Sequence, residues 1–522
     1  MSATAAAASP PVTGRQFAGF MVMVLGMFMA ILDIQIVSAS ISDIQAGLAA
    51  SPDEASWIQT SYLIAEIVMI PLSGFLSRLL STRVLFCLSA TGFTIFSLAC
   101  ATASSLPLMI LFRAAQGFLG GAMIPTVFAT AFLLFQGPKR ATMSVLIGLT
   151  ATLAPTIGPT LGGLLTETFS WHWLFLINVP VGVLIVVVVW RTMAIDRADP
   201  SLLARFDWLG LALMAAFLGS MEYVMEEGPR WNWLEDETIL TFAIIGGVSG
   251  VLFFHRAFTR AEPIVDLYAF ANRNFAIGSL FSFLVGISLY GSVYIIPLFL
   301  GRIRGYNSLQ IGETMFVTGA AMFLTAPLVG RLSQKLDTRV LLGIGLGILA
   351  IALWLTARLT AESGSLELML PLALRGVGTM MSMVPVNQLA LGTLPPARIK
   401  NASGLYNLMR NLGGAVGLAL INTLVTDRSA AHRLHLAESA GWGRAGATAW
   451  LDSVTAGMTA RLGEAQAGLA ALRRLSNLVQ QQALVLAYND TLLVMAVFFV
   501  MSLPLILLVR RPAAAGGGGG AH

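Results

Sequence analysis

The chain has 522 residues, of which 56% are apolar and only 11% charged, with a formal net charge of +5. Soluble domains carry about 25% charged residues, so a row of water-facing domains is excluded and a bilayer protein is implied. A pI of about 9.5 would hint at nucleic acid in a soluble protein, but here the basic residues fall in short loops between apolar runs, where they set membrane orientation instead.

Residues 1–16 read as a small-residue tail, and Arg15 precedes the first apolar run without a cleavage site, so that run is a retained span. A helix needs roughly 20 mostly apolar residues to cross a hydrocarbon core about 30 Å thick. Such runs occupy 17–42, 55–80, 83–103, 106–135, 140–165, 172–194, 206–227, 236–258, 274–301, 308–334, 338–359, 366–393, 401–427 and 484–510, fourteen in all. The expected fold class is therefore an all-α integral membrane protein. Cys87 and Cys100 share one run without a CxxC, so neither a disulfide framework nor a metal site is expected.

With the N-terminus placed in the cytoplasm, eighteen Lys and Arg fall in inside segments and four in short outside loops. That bias puts both termini in the cytoplasm. The chain also repeats. Pro71 to Leu85 matches Pro327 to Leu341 at ten of fifteen positions, 256 residues later. Both copies join an even-numbered span to the next across a basic turn, as in parallel halves related by an axis along the membrane normal. The expected organisation is a six-helix bundle at 17–194, a two-helix insert at 206–258, a second bundle at 274–510 that includes a periplasmic loop at 428–483, and a tail at 511–522. Such a duplicated bundle is the architecture of a secondary transporter.

At these residues the chain resembles the major facilitator superfamily, in particular its fourteen-span drug:proton antiporters of EmrB type. The loop from Gly74 through Arg78 to Arg83 is similar to the gating motif of that family, with Arg78 where an aspartate is usual and Ser81 where a second glycine is usual. Gly330 and Arg339 mark the second copy. The stretch GLTATLAPTIGPTLGG, with Gly148, Pro155, Gly158, Pro159, Gly162 and Gly163, is similar to the antiporter motif. Asp33 lies in a segment similar to the first-span acidic motif, and Arg113 with Gln116 and Gly117 resembles the fourth-span motif. The long thirteenth loop and the Gly516–Gly520 tail are similar to those of proteobacterial EmrB-type subunits. The resemblance implies proton-coupled export across the bacterial inner membrane, a periplasmic adaptor and an outer-membrane channel as partners, small amphipathic substrates, protons as the coupling ion, and no cofactor or metal.

An ionisable group inside a span costs about 2.5–3.5 kcal/mol on insertion scales and is a functional hypothesis by default. Asp33 and Glu66 are the expected proton-coupling acids, with Arg113 modulating them. Neutralising either acid is expected to stop efflux in a protein that still folds. Arg375 and Arg410 read as structural charges satisfied by backbone carbonyls or an acid, Glu222 as a polar contact of the insert, and Asp490 as interfacial. Proline bends a helix and glycine permits close approach, so the cluster 155–163 is expected to seal one face of a cavity. Candidate lining residues are Phe28, Gln35, Met69, Met123, Asn387, Asn407 and Arg410, with Phe128, Met380, Met383 and Met409 as adaptable apolar surface. Leu462, Leu469, Leu472 and Leu475 give the loop 428–483 the spacing of an amphipathic helix. An enzyme is disfavoured because HExxH, DDxxD, GxSxG and Walker A sequences are all missing. An uptake symporter of the same fold is the alternative.

Overall fold

The computed structural model describes residues 12–510 apart from 261 and 441–443. Residues 1–11 of the expected tail 1–16, and the whole expected tail 511–522 with Gly516–Gly520, lie outside the described residues. Among the described residues every regular element is helical, and fourteen helices are long and apolar enough to span a bilayer. Numbered by span they are α1 Gly14–Ala39, α2 Trp57–Leu80, α3 Thr82–Ala101, α4 Leu106–Leu134, α5 Lys139–Thr168, α6 Trp173–Thr192, α7 Trp208–Glu227, α8 Glu237–Thr259, α9 Arg273–Arg302, α10 Leu309–Lys335, α11 Thr338–Thr356, α12 Ser365–Leu391, α13 Pro396–Ser439 and α14 Gln466–Leu508. Large apolar side chains stand exposed on their outer faces, Leu324 at 76% and Val251 at 71% among them. Surfaces of that kind are stable against lipid and not against water.

Most ends fall within a few residues of the apolar runs, and the departures have local causes. α1 starts at Gly14 because Thr13 and Gln16 form a capping box, each side chain taking the other's backbone N–H. α4 is interrupted at Gly121 and Ala122. The expected loop 428–483 is largely helix. α13 runs on to Ser439, a further helix spans Ala445–Leu462, and α14 already begins at Gln466. Residues 428–440 contain neither glycine nor proline and are rich in Ala, Leu and Arg, so nothing stops α13 at the edge of its apolar run. His432 Nε2 lies 2.9 Å from Asp490 Oδ2, and Arg428 Nε 3.8 Å from the same oxygen, which ties the α13 extension to α14. The side chain of Leu462 lies outside those described, but Leu469 and Leu472 point to solvent at 63% and 39% exposure. Ala467 and Ala471 take the buried side of that helix.

The helix pairings carry the internal repeat. α1 packs on α5 and α6, α2 on α4, and α3 on α4 and α6. Eight spans later α9 packs on α13, α10 on α12, and α11 on α12 and α14. The two bundles meet along a second matched pair of seams, α5 against α10 and α2 against α13. The insert, α7 with α8, seats α7 on the α2–α13 seam.

The end of the molecule carrying the basic turns is held by close backbone contact. A Cβ on Gly74 would come within 2.7 Å of Asn401 Cα, and one on Gly404 within 2.9 Å of the Ile70 carbonyl oxygen. Between α2 and α3 the chain turns at Ser81, whose φ of 78° and ψ of 153° belong to a region open almost only to glycine. Ser81→Gly is expected to stabilise the protein by about 1 kcal/mol. A rise in the thermal unfolding midpoint in detergent checks it; a fall would mean that the Ser81 hydroxyl cap on Val84 outweighs the strain.

Candidate functional site

Glycines on α4 bring it against the backbone of α2. A Cβ on Gly117 would meet the Tyr62 carbonyl oxygen at 2.3 Å, and one on Gly121 the Glu66 carbonyl oxygen at 2.9 Å. This approach carries Arg113, one turn earlier on α4, to Asp33 on α1. Arg113 Nη1 donates to Asp33 Oδ2 at 2.6 Å, and both side chains are fully buried. Gln116 and Asn178 donate to the other carboxylate oxygen at 3.2 and 2.7 Å. Both amides also bond Ser97 Oγ, at 3.2 and 2.9 Å. Arg113 Nε donates to the Ile58 carbonyl at 3.1 Å, and the guanidinium carbon lies 4.2 Å from the centre of the Tyr62 ring. Removing two charges from water costs several kcal/mol each, and this ring of neutral donors around the carboxylate is what offsets it.

Glu66 is placed differently. It is 2% exposed, its Oε1 has no hydrogen-bond partner among the described residues, and it lines a cavity of about 440 Å³ between the bundles. Asp33 and Arg113 are near enough to interact with it electrostatically. Asp33 itself is not part of the cavity wall.

The cavity lies toward the end away from the basic turns. Its wall includes Gln35 from α1, Gln59 from α2, Pro159 from α5, Tyr290 and Tyr294 from α9, and Asn411 and Asn422 from α13. α7 adds Glu222 and Glu226. The expectation for Glu222 as a polar contact is thereby corrected, since it faces the cavity with Oε2 unpartnered. Of the expected lining residues only Gln35 is part of the wall. Met69, Met123, Asn387, Asn407 and Arg410 are buried in packing instead, and Phe28 packs partly buried against the core. The reason is positional: these residues belong to the half of the molecule where α2, α4 and α13 close on one another. Among the described residues Arg410 there has neither an acid nor a backbone carbonyl as partner. Its Nη2 donates to Tyr406 Oη at 2.8 Å and Asn387 Oδ1 at 3.3 Å, beneath the Phe128 ring at 5.0 Å. Arg375 donates to Thr318 Oγ1 at 3.1 Å.

In the antiporter-like stretch, Gly158 and Gly162 bring α5 onto α1. A Cβ would meet Gln35 Cβ at 2.4 Å and the Ile36 carbonyl oxygen at 2.8 Å. Pro155 and Pro159 sit inside a continuous helix. Gly148 is looser, with 3.5 Å to Met383 Sδ, and Gly163 is partly buried.

At the basic end, Arg78 lies 5.7 Å from the Phe75 ring and Arg83 4.9 Å from the Trp190 ring. The acid usual in such a turn is supplied from elsewhere. Asp196, in the segment after α6, accepts the Thr82 N–H at 3.0 Å and pairs with Lys400 of α13. Lys400 also donates to the Ser77 carbonyl at 3.0 Å. The second copy is slacker: among the described residues a Cβ on Gly330 would meet only Val145 Cγ2 at 3.7 Å, and Arg339 Nε has no hydrogen-bond partner. Sequence reading missed Asp196, because its use depends on a fold that brings α3, α13 and the post-α6 segment together.

The sequence pattern of the Major Facilitator Superfamily matches residues 23–418. The chain belongs to that superfamily. It is 46% identical to the colistin resistance protein EmrB of Acinetobacter baumannii over 80% of this chain and 82% of that one. It is 31% identical to the multidrug export protein EmrB of Escherichia coli K12 over 80% and 81%. The fatty acid resistance protein FarB of Neisseria gonorrhoeae is 28% identical over 95% and 97%. Among solved structures the fold is similar to the proton:xylose symporter XylE, with a TM-score of 0.58 at 14% identity over 96% of this chain and 100% of that one. The human organic anion transporter MFSD10 gives 0.57 at 14% identity over 94% and 100%. The major facilitator fold is thus shared, and α7 and α8 lie in chain order between the two sets of matched helices.

Arg113→Met leaves the Asp33 carboxylate buried without its cation. The expected loss is roughly 3–5 kcal/mol, read as a lower unfolding midpoint in detergent. An unchanged midpoint would show that the neutral donors alone suffice.

Proposed function

We propose that this protein exports amphipathic toxic compounds across the bacterial inner membrane in exchange for protons, with both termini in the cytoplasm. The observation that carries the reading is Glu66, a buried carboxyl with an unpartnered oxygen, facing a cavity between two bundles and near an Asp33 whose two oxygens are both bonded, one of them by Arg113. Burial disfavours an ionised carboxyl and a neighbouring cation favours it, so movement of the bundles that alters either influence loads or releases a proton. Glu66 is the carrier in this reading. Asp33 and Arg113 set its electrostatic surroundings and lock α1 to α4. One charge moved through 100 mV supplies about 2.3 kcal/mol. The export and resistance names of the 46% and 31% identical relatives support the direction of transport.

Glu66→Gln is expected to reduce efflux from proteoliposomes driven by an imposed pH gradient to the level seen with protonophore, in a protein that inserts and unfolds like the parent. Undiminished gradient-driven efflux in that variant would remove Glu66 as the carrier. Asp33→Asn is a poorer test, because it strands Arg113 as an unpaired buried cation.

The reading extends to a tripartite pump. The α13 and α14 extensions project past the apolar runs and expose Leu434, Leu469 and Leu472, an apolar surface suited to a periplasmic adaptor that leads to an outer-membrane channel. Leu469→Glu with Leu472→Glu is expected to abolish drug resistance in Gram-negative cells and to leave proteoliposome efflux at the parental rate. Full resistance in cells carrying this pair of changes would argue against adaptor docking there.

A further inference from the structure

The insert does more than widen the molecule. α7 is held to the first bundle by Glu227, whose Oε1 accepts the Thr60 hydroxyl at 3.4 Å, and by stacking of Tyr223 on Trp57 at 5.3 Å. The connection that follows α7 is held to the second by the bond from Trp233 Nε1 to Thr423 Oγ1 at 3.0 Å. These ties turn one face of α7 into the cavity. Three successive acids, Glu222, Glu226 and Glu227, then divide by role. Glu227 is bonded by Thr60, by Trp231 Nε1 at 3.2 Å and, at 3.9 Å, by Arg230. Glu222 and Glu226 have no ion-pair partner among the described residues and both line the cavity. Glu222 is 5% exposed with an unpartnered Oε2.

With Glu66 the wall carries three carboxyl groups and no Lys, Arg or His. A second kind of unsatisfied acceptor faces the same space, since Gln59 Oε1 is buried without a donor among the described residues. The cavity also holds the rings of Tyr290 and Tyr294. Tyr290 lies flat along α13 because Gly414 has no Cβ, which would stand 2.5 Å from Tyr290 Cδ2. The remaining wall is largely aliphatic, including Ile34, Leu63 and Val293. A volume of about 440 Å³ is within the range of small-molecule sites.

Glu66 and Glu222, buried carboxyl groups each with an unpartnered oxygen among the described residues, raise the free energy of an empty site. A lipophilic cation offsets that cost, gains from the tyrosine faces, and buries its apolar body against the aliphatic wall. An anion of the same shape meets three acids and no donor cation. We propose that the cavity is a binding site for amphipathic organic cations, and that the inserted helix supplies its charge selectivity through Glu222 and Glu226. The inference deepens the export reading and rests on it for the direction of transport.

The test is equilibrium binding to the purified full-length protein, without any ion gradient, of tetraphenylphosphonium and tetraphenylborate, two ions of like shape and opposite charge. The parent is expected to bind the cation at least about tenfold more tightly than the anion. Glu222→Gln with Glu226→Gln is expected to shrink that preference by about tenfold or more, with anion binding kept or improved. Glu222→Asp with Glu226→Asp retains the cation preference. Gain or retention of anion binding in the glutamine variant shows that the site is still folded. Equal binding of the two ions by the parent, an unchanged preference in the glutamine variant, or equal loss of both ions would each overturn the proposal. Since no gradient is present, these failures leave proton coupling standing. Continued efflux by Glu66→Gln would likewise leave charge selection standing.

Discussion

Inside the hydrocarbon no water is available to an ionised side chain, so each one must find its partners within the protein or face a cavity. That constraint sorts the acids of this chain into two groups. Asp33 is enclosed by Arg113, Gln116 and Asn178 and has no access to the central space. Glu66, Glu222 and Glu226 all open onto it. The first arrangement holds helices in register. The second keeps reactive carboxyls next to whatever enters. Arg410 shows a third solution, a buried cation cradled by a phenol, an amide and a ring face rather than by an acid.

The same economy governs the seams. Where α2 meets α13, glycine lets backbone touch backbone at Gly74 and Gly404. The acid missing from the turn at Arg78 is replaced by Asp196, which at once caps the N-terminus of α3 and binds Lys400 of the opposite bundle. An anion is favourable at a helix N-terminus, so one residue serves local and long-range purposes together. Its counterpart around Gly330 has no such contact density. The two halves share a plan but are not equally tight.

Much of this was legible in the chain before folding. Fourteen apolar runs, the eight-span offset between repeats and the pairing symmetry it implies follow from hydropathy and a fifteen-residue match. Asp33, Glu66 and Arg113 stand out because charge is rare in spans, and the structure brings all three within electrostatic reach. The cavity wall was not legible. Side chains with the right chemistry, such as Met69 and Asn387, are packed away, while Glu226 is indistinguishable in sequence from its bonded neighbour Glu227. Which face of α7 turns inward depends on contacts to Thr60, Trp57 and Thr423, each more than 160 residues from the glutamates or on another bundle. The leucine spacing at 462–475 signalled a helix outside the apolar runs, but not that α13 and α14 run on unbroken, because hydropathy ends at the bilayer while helix propensity does not.

The insert is moored to both halves, though unequally. Contacts at Thr60 and Trp57 fasten it to the first bundle, and packing on α13 with the Trp233 indole hydrogen bond fastens it to the second. α7 packs more extensively on α2 than on α13, so a rotation of the halves that parts the α13 contacts leaves α7 seated on α2. In such a rotation Glu222 and Glu226 would keep their spacing from Glu66, and the opposite side of the cavity, with Tyr290 and Asn411, would slide past them.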